Sequence, residues 1–216
     1  MTCIGNSCSC VGVNVLFNKK KAKKEYRHYL KKGPDNTTKR LIEELKKEDL
    51  SGATLIDIGG GIGAIHHGLL SAGIARATNV DGSEAYIEKS KEESRRLGNE
   101  DKLQHHFGDY VEHADAVGEA DIVTLDKVIC CYKDMRELVS KSSGHARKYY
   151  GVIYPVDKWW MRLFSRVANV FVRLRSREFQ SYIHNEKEIE EIILSNGFEK
   201  TYYYNNLIWQ VILYAK

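Results

Sequence analysis

Five short apolar runs separated by stretches of helical period, all between Thr54 and Tyr154, restrict what this chain can fold into more than any other feature. The runs read as strands at Thr54–Ile58, Ala77–Val80, Leu103–Phe107, Asp121–Leu125 and Tyr149–Tyr154. Helices are read between them at Ala64–Ala72, Glu84–Leu97, Tyr110–Val117 and Met135–Ser142, the last extending as far as Ala146. Strands apolar at nearly every position are buried on both faces, and connections of helical length join parallel neighbours. The expected fold is α/β, a doubly wound, mostly parallel sheet covered by helices on both sides. Helix Glu186–Ser195 is followed by strands Glu199–Asn205 and Leu207–Tyr214 around a tight Asn205–Asn206 turn, so a C-terminal antiparallel hairpin completes seven strands.

At 216 residues the chain suits one domain. Residues 1–16 lack periodicity and are expected to be a flexible N-terminus, with a single domain over 17–216. Helices Phe17–Lys32 and Thr37–Glu48, parted by Gly33-Pro34-Asp35 and capped at Asp35 or Asn36, form N-terminal helices over 17–50 that suit a lid. After Pro155 an aromatic, arginine-rich insertion, 157–183, interrupts the alternation and reads as a helical cap. No apolar run approaches the roughly 20 residues that span a bilayer. The first residues lack a basic segment followed by a long apolar core, so a cytoplasmic location is expected. Cys3, Cys8 and Cys10 have no further Cys or His at finger-like spacing, so neither a disulfide framework nor a metal site is expected. The net charge of +4 gathers at Lys19, Lys20, Lys21, Lys23 and Lys24 and at Arg162, Arg166, Arg173, Arg175 and Arg177, as on solvated helix faces or beside an anionic partner.

At the first strand-to-helix junction Asp57, Gly59, Gly61 and Gly63 spell D-x-G-x-G-x-G. Glycines there let the backbone turn sharply and let a ligand approach without meeting a Cβ. Gly59, Gly61 and Ala64 also satisfy G-x-G-x-x-A, with Asp81 near the position of a ribose-binding acid, so the loop by itself fits a dinucleotide equally well. Three features point away from a dinucleotide. Two helices precede the turn, no substrate domain follows, and the Asp57 carboxylate suits a cationic amino acid group better than a pyrophosphate.

From Thr37 to Lys216 these ordered motifs resemble the seven-stranded class I S-adenosylmethionine-dependent methyltransferases. The resemblance implies S-adenosylmethionine as cofactor and S-adenosylhomocysteine as product. By position it implies that Asp57 and the Gly59, Gly61 and Gly63 backbone cradle the methionine end, and that Asp81 accepts from the ribose hydroxyls. Gly108 and Asp109 then meet the adenine edge with Tyr110 flanking the ring, while Asp126, with Lys127 and Val128, faces the transferred methyl. A looser similarity to magnesium-protoporphyrin O-methyltransferases rests on the Phe17–Tyr29 helical lead, the glycine turn and the cap after the fifth strand.

The implied activity is methylation of a small, apolar or aromatic molecule, at oxygen in preference to nitrogen. An RNA methyltransferase, a non-catalytic S-adenosylmethionine-binding protein and a nicotinamide oxidoreductase stand as alternatives. The fourth strand leads into LDKVICCY, without the Asn/Asp-Pro-Pro-Tyr/Phe signature of enzymes that methylate amide or base amino groups, so nucleic acid is not the expected partner. Tyr26, Tyr29, Trp159, Trp160 and Arg162 are the candidate acceptor-binding residues, and His184 and Asp126 the candidate catalytic groups. Cys130 and Cys131 read as packed beside the site. Of His66 and His67, one is expected to face solvent and the other the pocket. The 157–177 segment, Trp with Arg on one helix, could also rest on a membrane surface or bury its apolar face in a homodimer, so monomer and dimer are both open.

Overall fold

The computed structural model describes residues 8–175 and 180–216; residues 1–7, with Cys3, and 176–179, with Arg177, lie outside them. The chain opens with α1 (Cys8–Leu16), α2 (Lys19–Lys32) and α3 (Asn36–Leu45). It then alternates through β1 (Thr54–Ile58), α4 (Ala64–Leu70), β2 (Arg76–Asp81), α5 (Glu84–Leu97), β3 (Leu103–Phe107), α6 (Tyr110–Val117) and β4 (Ala120–Asp126). After α7 (Met135–Gly144) and β5 (Ala146–Pro155) come α8 (Trp159–Arg175), α9 (Glu186–Ser195), β6 (Glu199–Asn205) and β7 (Trp209–Ala215).

The strands form one sheet in the order β3-β2-β1-β4-β5-β7-β6. β1 to β5 pair in parallel, and β7 runs antiparallel to both β5 and β6. β1 has β2 on one side and β4 on the other, so the winding reverses there and a crevice opens beyond the carboxyl ends of those strands.

Successive side chains on a strand point to opposite faces, and β1 shows what that accomplishes. Leu55 joins Leu41, Leu45, Ile65, Leu69, Ile122 and Leu213 in the layer under α3 and α4. Ile56 joins Val123, Leu125, Leu138, Ile189 and Ile212 in the layer under α7 and α9. α3 begins at Asp35, whose carboxylate accepts from the Thr37 and Thr38 backbone N–H groups. It lies close on the sheet because Gly151 faces Leu41, whose Cδ1 would be 2.9 Å from a Cβ at that position.

Three differences from the sequence reading concern local boundaries. Cys8–Leu16 is helical rather than loosely ordered, because Val13 and the following Phe17 find a tertiary surface in the cleft described below, which local periodicity does not register. Ala146 opens β5 instead of ending α7, and β2 and β4 extend to Asp81 and Asp126, so both acids terminate strands. The last strand starts at Trp209, since the Asn206 side chain accepts from the backbone of Ile208 and Trp209 and widens the turn. Among the described residues no helix is long and apolar enough to cross a membrane.

Candidate active site

The crevice between β1 and β4 deepens into a cleft of about 830 Å³ bounded by the glycine turn, the ends of β2 and β4, the loop after β3 and the N-terminal helices. That volume lies in the usual range for a small-molecule site. Gly59 and Gly61 take φ of +62° and +59°, where a side chain is strained. At Gly59 a Cβ would also lie 2.4 Å from Val128 Cγ2. At Gly61 the nearest atom to a Cβ would be Tyr86 Cδ1 at 3.5 Å, so the turn offers bare main chain to open space. Gly63 does not line the cleft; it serves as the N-cap of α4 in a left-handed conformation.

Asp57 forms part of the cleft floor with 0% exposure, and its two oxygens already have protein partners. Oδ1 accepts from Thr124 Oγ1 on β4 and Oδ2 from His66 Nδ1 on α4, each at 2.8 Å. His66 Nε2 in turn pairs with the Ser90 hydroxyl at 2.8 Å, and His67 Nε2 donates to the Ser90 carbonyl at 3.2 Å. Both histidines are buried, which corrects the expectation that one faces solvent. Burial pushes His67 down to about 3, so it stays neutral at ordinary pH. Asp57 is therefore oriented by β4 and α4 and fixes the turn from below, a tie that the sequence reading did not foresee.

Asp81 accepts from the backbone N–H of Gly61 at 2.9 Å and of Ser83 at 2.7 Å, so it clamps the other side of the same turn. Burial raises its carboxyl to about 6 against the pull of those donors. Gly108, Asp109 and Tyr110 all line the cleft after β3. Asp109 accepts from the Val111 N–H at 2.9 Å and from the Tyr132 hydroxyl, while the Tyr110 hydroxyl pairs with His145 Nδ1 at 3.0 Å.

The end of β4 is tied to α3. Asp126 accepts from Thr38 Oγ1 at 2.5 Å, and Lys127 places Nζ 2.6 Å from Asp35 Oδ2 and 3.2 Å from Asp126 Oδ1. Burial raises the Asp126 carboxyl. Burial alone would lower Lys127, but the two carboxylates outweigh it and raise its pKa, so Lys127 is held charged. Its Nζ lies 5.6 Å from the ring centre of Trp209, which also lines the cleft.

Helix α2 is tied to the segment carrying α5. Ser83 Oγ donates to the Phe17 carbonyl at 2.6 Å, and the Tyr86 hydroxyl to Glu25 at 2.5 Å. Tyr26, expected at the acceptor, is instead buried with its hydroxyl donating to Glu93 at 2.9 Å, and burial raises it to about 12. Tyr29 does line the cleft, one turn further along the same helix. Val13, Phe17, His28 and Trp209 line it as well, and no sequence signal set them apart from ordinary surface or core residues. Cys130 and Cys131 sit in the cleft wall with sulfurs 3.9 Å apart.

Among the described residues, none of the insertion lines the cleft. None of Trp159, Trp160 and Arg162 lines it, Trp159 is 78% exposed, and Arg162 pairs with Asp157 at 2.7 and 2.8 Å. The reason lies in which side of α8 is docked. Ser165 Oγ and Asn169 Nδ2 donate to the Ser181 carbonyl at 3.1 and 2.8 Å, pinning the helix to the segment that follows it. His184 is outside the cleft too, its Nε2 donating to the Tyr132 carbonyl at 2.9 Å and its pKa lowered by burial.

Residues 7–143 match the family model for the O-methyltransferase domain. The chain belongs to that family. It is thus an S-adenosylmethionine-dependent methyltransferase, which sets aside the nicotinamide and non-catalytic alternatives. No curated protein matches it by sequence. Among solved structures, the magnesium protoporphyrin IX methyltransferase of Synechocystis PCC 6803 with bound S-adenosylhomocysteine superposes with a TM-score of 0.73 at 18% identity, over 94% of this chain and 98% of that one. The O-methyltransferase family 2 protein of Planctomyces limnophilus in complex with apigenin gives 0.65 at 16% identity, over 92% of this chain and 62% of that one. A putative RNA methyltransferase of Pyrococcus horikoshii gives 0.59 at 16% identity, over 86% and 84%.

The turn of this methyltransferase has a direct mechanical test. Gly59→Ala combines a strained φ with the Val128 overlap and should lower unfolding free energy by about 1–3 kcal/mol in denaturant titration. Adding Val128→Ala removes only the overlap, so a double-mutant cycle should show positive coupling with incomplete rescue. Unchanged stability in Gly59→Ala would contradict this geometry.

Proposed function

We propose that the protein acts in the cytoplasm and transfers the methyl group of S-adenosylmethionine to an oxygen of a small, apolar or aromatic acceptor. The observation that carries this reading is the make-up of the cleft beyond the glycine turn. Val13, Phe17, Tyr29 and Trp209 supply apolar and aromatic wall, with Lys21, Lys24, Glu25, Asp35, Asp126 and Lys127 beside them. Flat aromatic walls with placed charges suit a small acceptor bearing a hydroxyl or carboxyl group.

The cofactor supplies a methyl already activated on a sulfonium, which leaves the protein to bind, orient and exclude water. In this reading Asp81 accepts from the ribose hydroxyls, the Gly59–Gly61 main chain lies along the methionine end, and Asp109 with Tyr110 borders the adenine. Asp57 acts through the turn that it anchors. Asp126 and Lys127 border the transferred methyl. Tyr29 keeps the acceptor-facing role expected of it, and Trp209 takes the one first expected of Trp159 and Trp160. His28, on the lid, is the imidazole that lines the cleft, in place of His184.

Incubation with methyl-labelled cofactor and panels of phenols, aromatic carboxylates and RNA tests the reading. Label should appear on oxygen of a small acceptor, and Tyr29→Ala should raise the acceptor KM roughly tenfold or more while cofactor affinity holds, the loss of one buried aromatic contact. Exposed Lys20, Lys23 and Lys24 on α2 favour RNA as the second reading. Label on RNA, with affinity falling steeply in salt, would establish that reading instead.

Asp81 also sets a pH dependence. Hydroxyl donors favour the ionised carboxylate, whose pKa of about 6 leaves it charged at neutral pH. Cofactor affinity should therefore be flat above neutrality and fall by up to about tenfold per pH unit below that pKa. The same raised pKa makes the empty site's contribution to folding stability greatest in acid, lost as pH rises through about 6. Asp81→Asn should bind weakly with no such slope, and a wild-type profile flat down to pH of about 5 would contradict the assignment.

A further inference from the structure

We propose that α8 seats the protein on an anionic lipid surface. A helix packed on its own protein normally buries its apolar side. α8 does the reverse. Among its described side chains the buried stripe is Met161, Ser165 and Asn169, positions spaced by four, and the two polar members are hydrogen-bonded to Ser181. The opposite side carries Trp159, Leu163, Phe164, Val167 and Val170, each more than half exposed, from 78% at Trp159 to 51% at Val167.

Charge complementarity decides what covers this face. No acidic residue occurs from Lys158 to Arg175. Lys158, Arg162 and Arg166, also spaced by four, are exposed along one flank of the apolar face, and Arg162 alone of these has a described carboxylate partner, Asp157. An apolar strip headed by an exposed Trp and edged on one side by cations is the arrangement of a helix lying in the plane of a bilayer interface. A protein partner would be expected to meet the cationic flank with its own acids, and this chain's acids give no such stripe on α8 itself.

Tyr182 N–H donates to the Cys130 carbonyl at 2.7 Å, and Cys130 lies in the cleft wall. The segment that holds α8 thus also touches the cleft wall. The docking itself does not depend on which acceptor is used.

Sedimentation of the full chain with vesicles of phosphatidylcholine alone, and of equal parts phosphatidylcholine and phosphatidylglycerol, tests it. The expected result is binding to the mixed vesicles and little to the neutral ones, with tryptophan emission shifted to shorter wavelength and that shift largely absent in Trp159→Phe. Arg166→Ala should weaken binding about fivefold, one interfacial cation's worth. Leu163→Asp with Phe164→Asp should abolish it while the thermal melting profile holds, since both sites are exposed. Binding to neither vesicle, or equal binding to both with no effect of Arg166→Ala, would overturn the proposal. So would a concentration-dependent dimer that the Asp substitutions dissociate without any vesicle binding, which would make the face a contact between copies.

Discussion

A carboxylate buried near the end of β1 must find partners, and the satisfaction of Asp57 organises the site. An ionised group out of water is costly unless hydrogen-bonded. Its partners come from both neighbours in the fold, Thr124 from the adjacent strand β4 and His66 from the helix that follows the glycine turn. Those two contacts fix where the turn begins and how α4 departs. The glycines then follow as a necessity of space, since a Cβ at Gly60 would stand 2.6 Å from Asp57 Oδ2 and one at Gly59 would strike Val128. Asp81 holds the far side of the turn through Gly61, so the main chain facing the cleft is fixed by two carboxylates from adjacent strands.

The lid is joined to this frame by the same kind of contact. Asp126 and Lys127 at the end of β4 engage Thr38 and Asp35 at the start of α3, while Ser83 and Tyr86 engage Phe17 and Glu25 around α2. The elements that bound the glycine turn therefore also hold the N-terminal helices over the cleft.

What was legible in the sequence is what periodicity and local chemistry encode. β1, α5, β3, α6, α9 and β6 fall where their apolar spacing and capping residues place them, and the acids at Asp57, Asp81, Asp109 and Asp126 stand at or just beyond the carboxyl ends of strands. What was not legible depends on pairs remote in the chain. Asp57 meets Thr124 across 67 positions, and Thr38 meets Asp126 across 88, and neither pairing leaves a local mark. Tyr26 and Tyr29 share one helix, and only tertiary packing sends the first to Glu93 and the second to the cleft. The composition of α8 showed an amphipathic helix but not which side faces the protein, because Ser165 and Asn169 find a carbonyl at Ser181 that sequence spacing does not reveal.

Calorimetric titration with S-adenosylmethionine, S-adenosylhomocysteine and NAD, on the wild type and on Asp81→Asn, tests the central claim most directly. The account predicts that the first two bind and NAD does not, and that the substitution weakens both by at least about tenfold, the loss of charged hydrogen bonds to a ligand. Binding of NAD, or cofactor affinity indifferent to Asp81→Asn, would contradict the assignment of the glycine turn and its clamping carboxylate as the methyl-donor site.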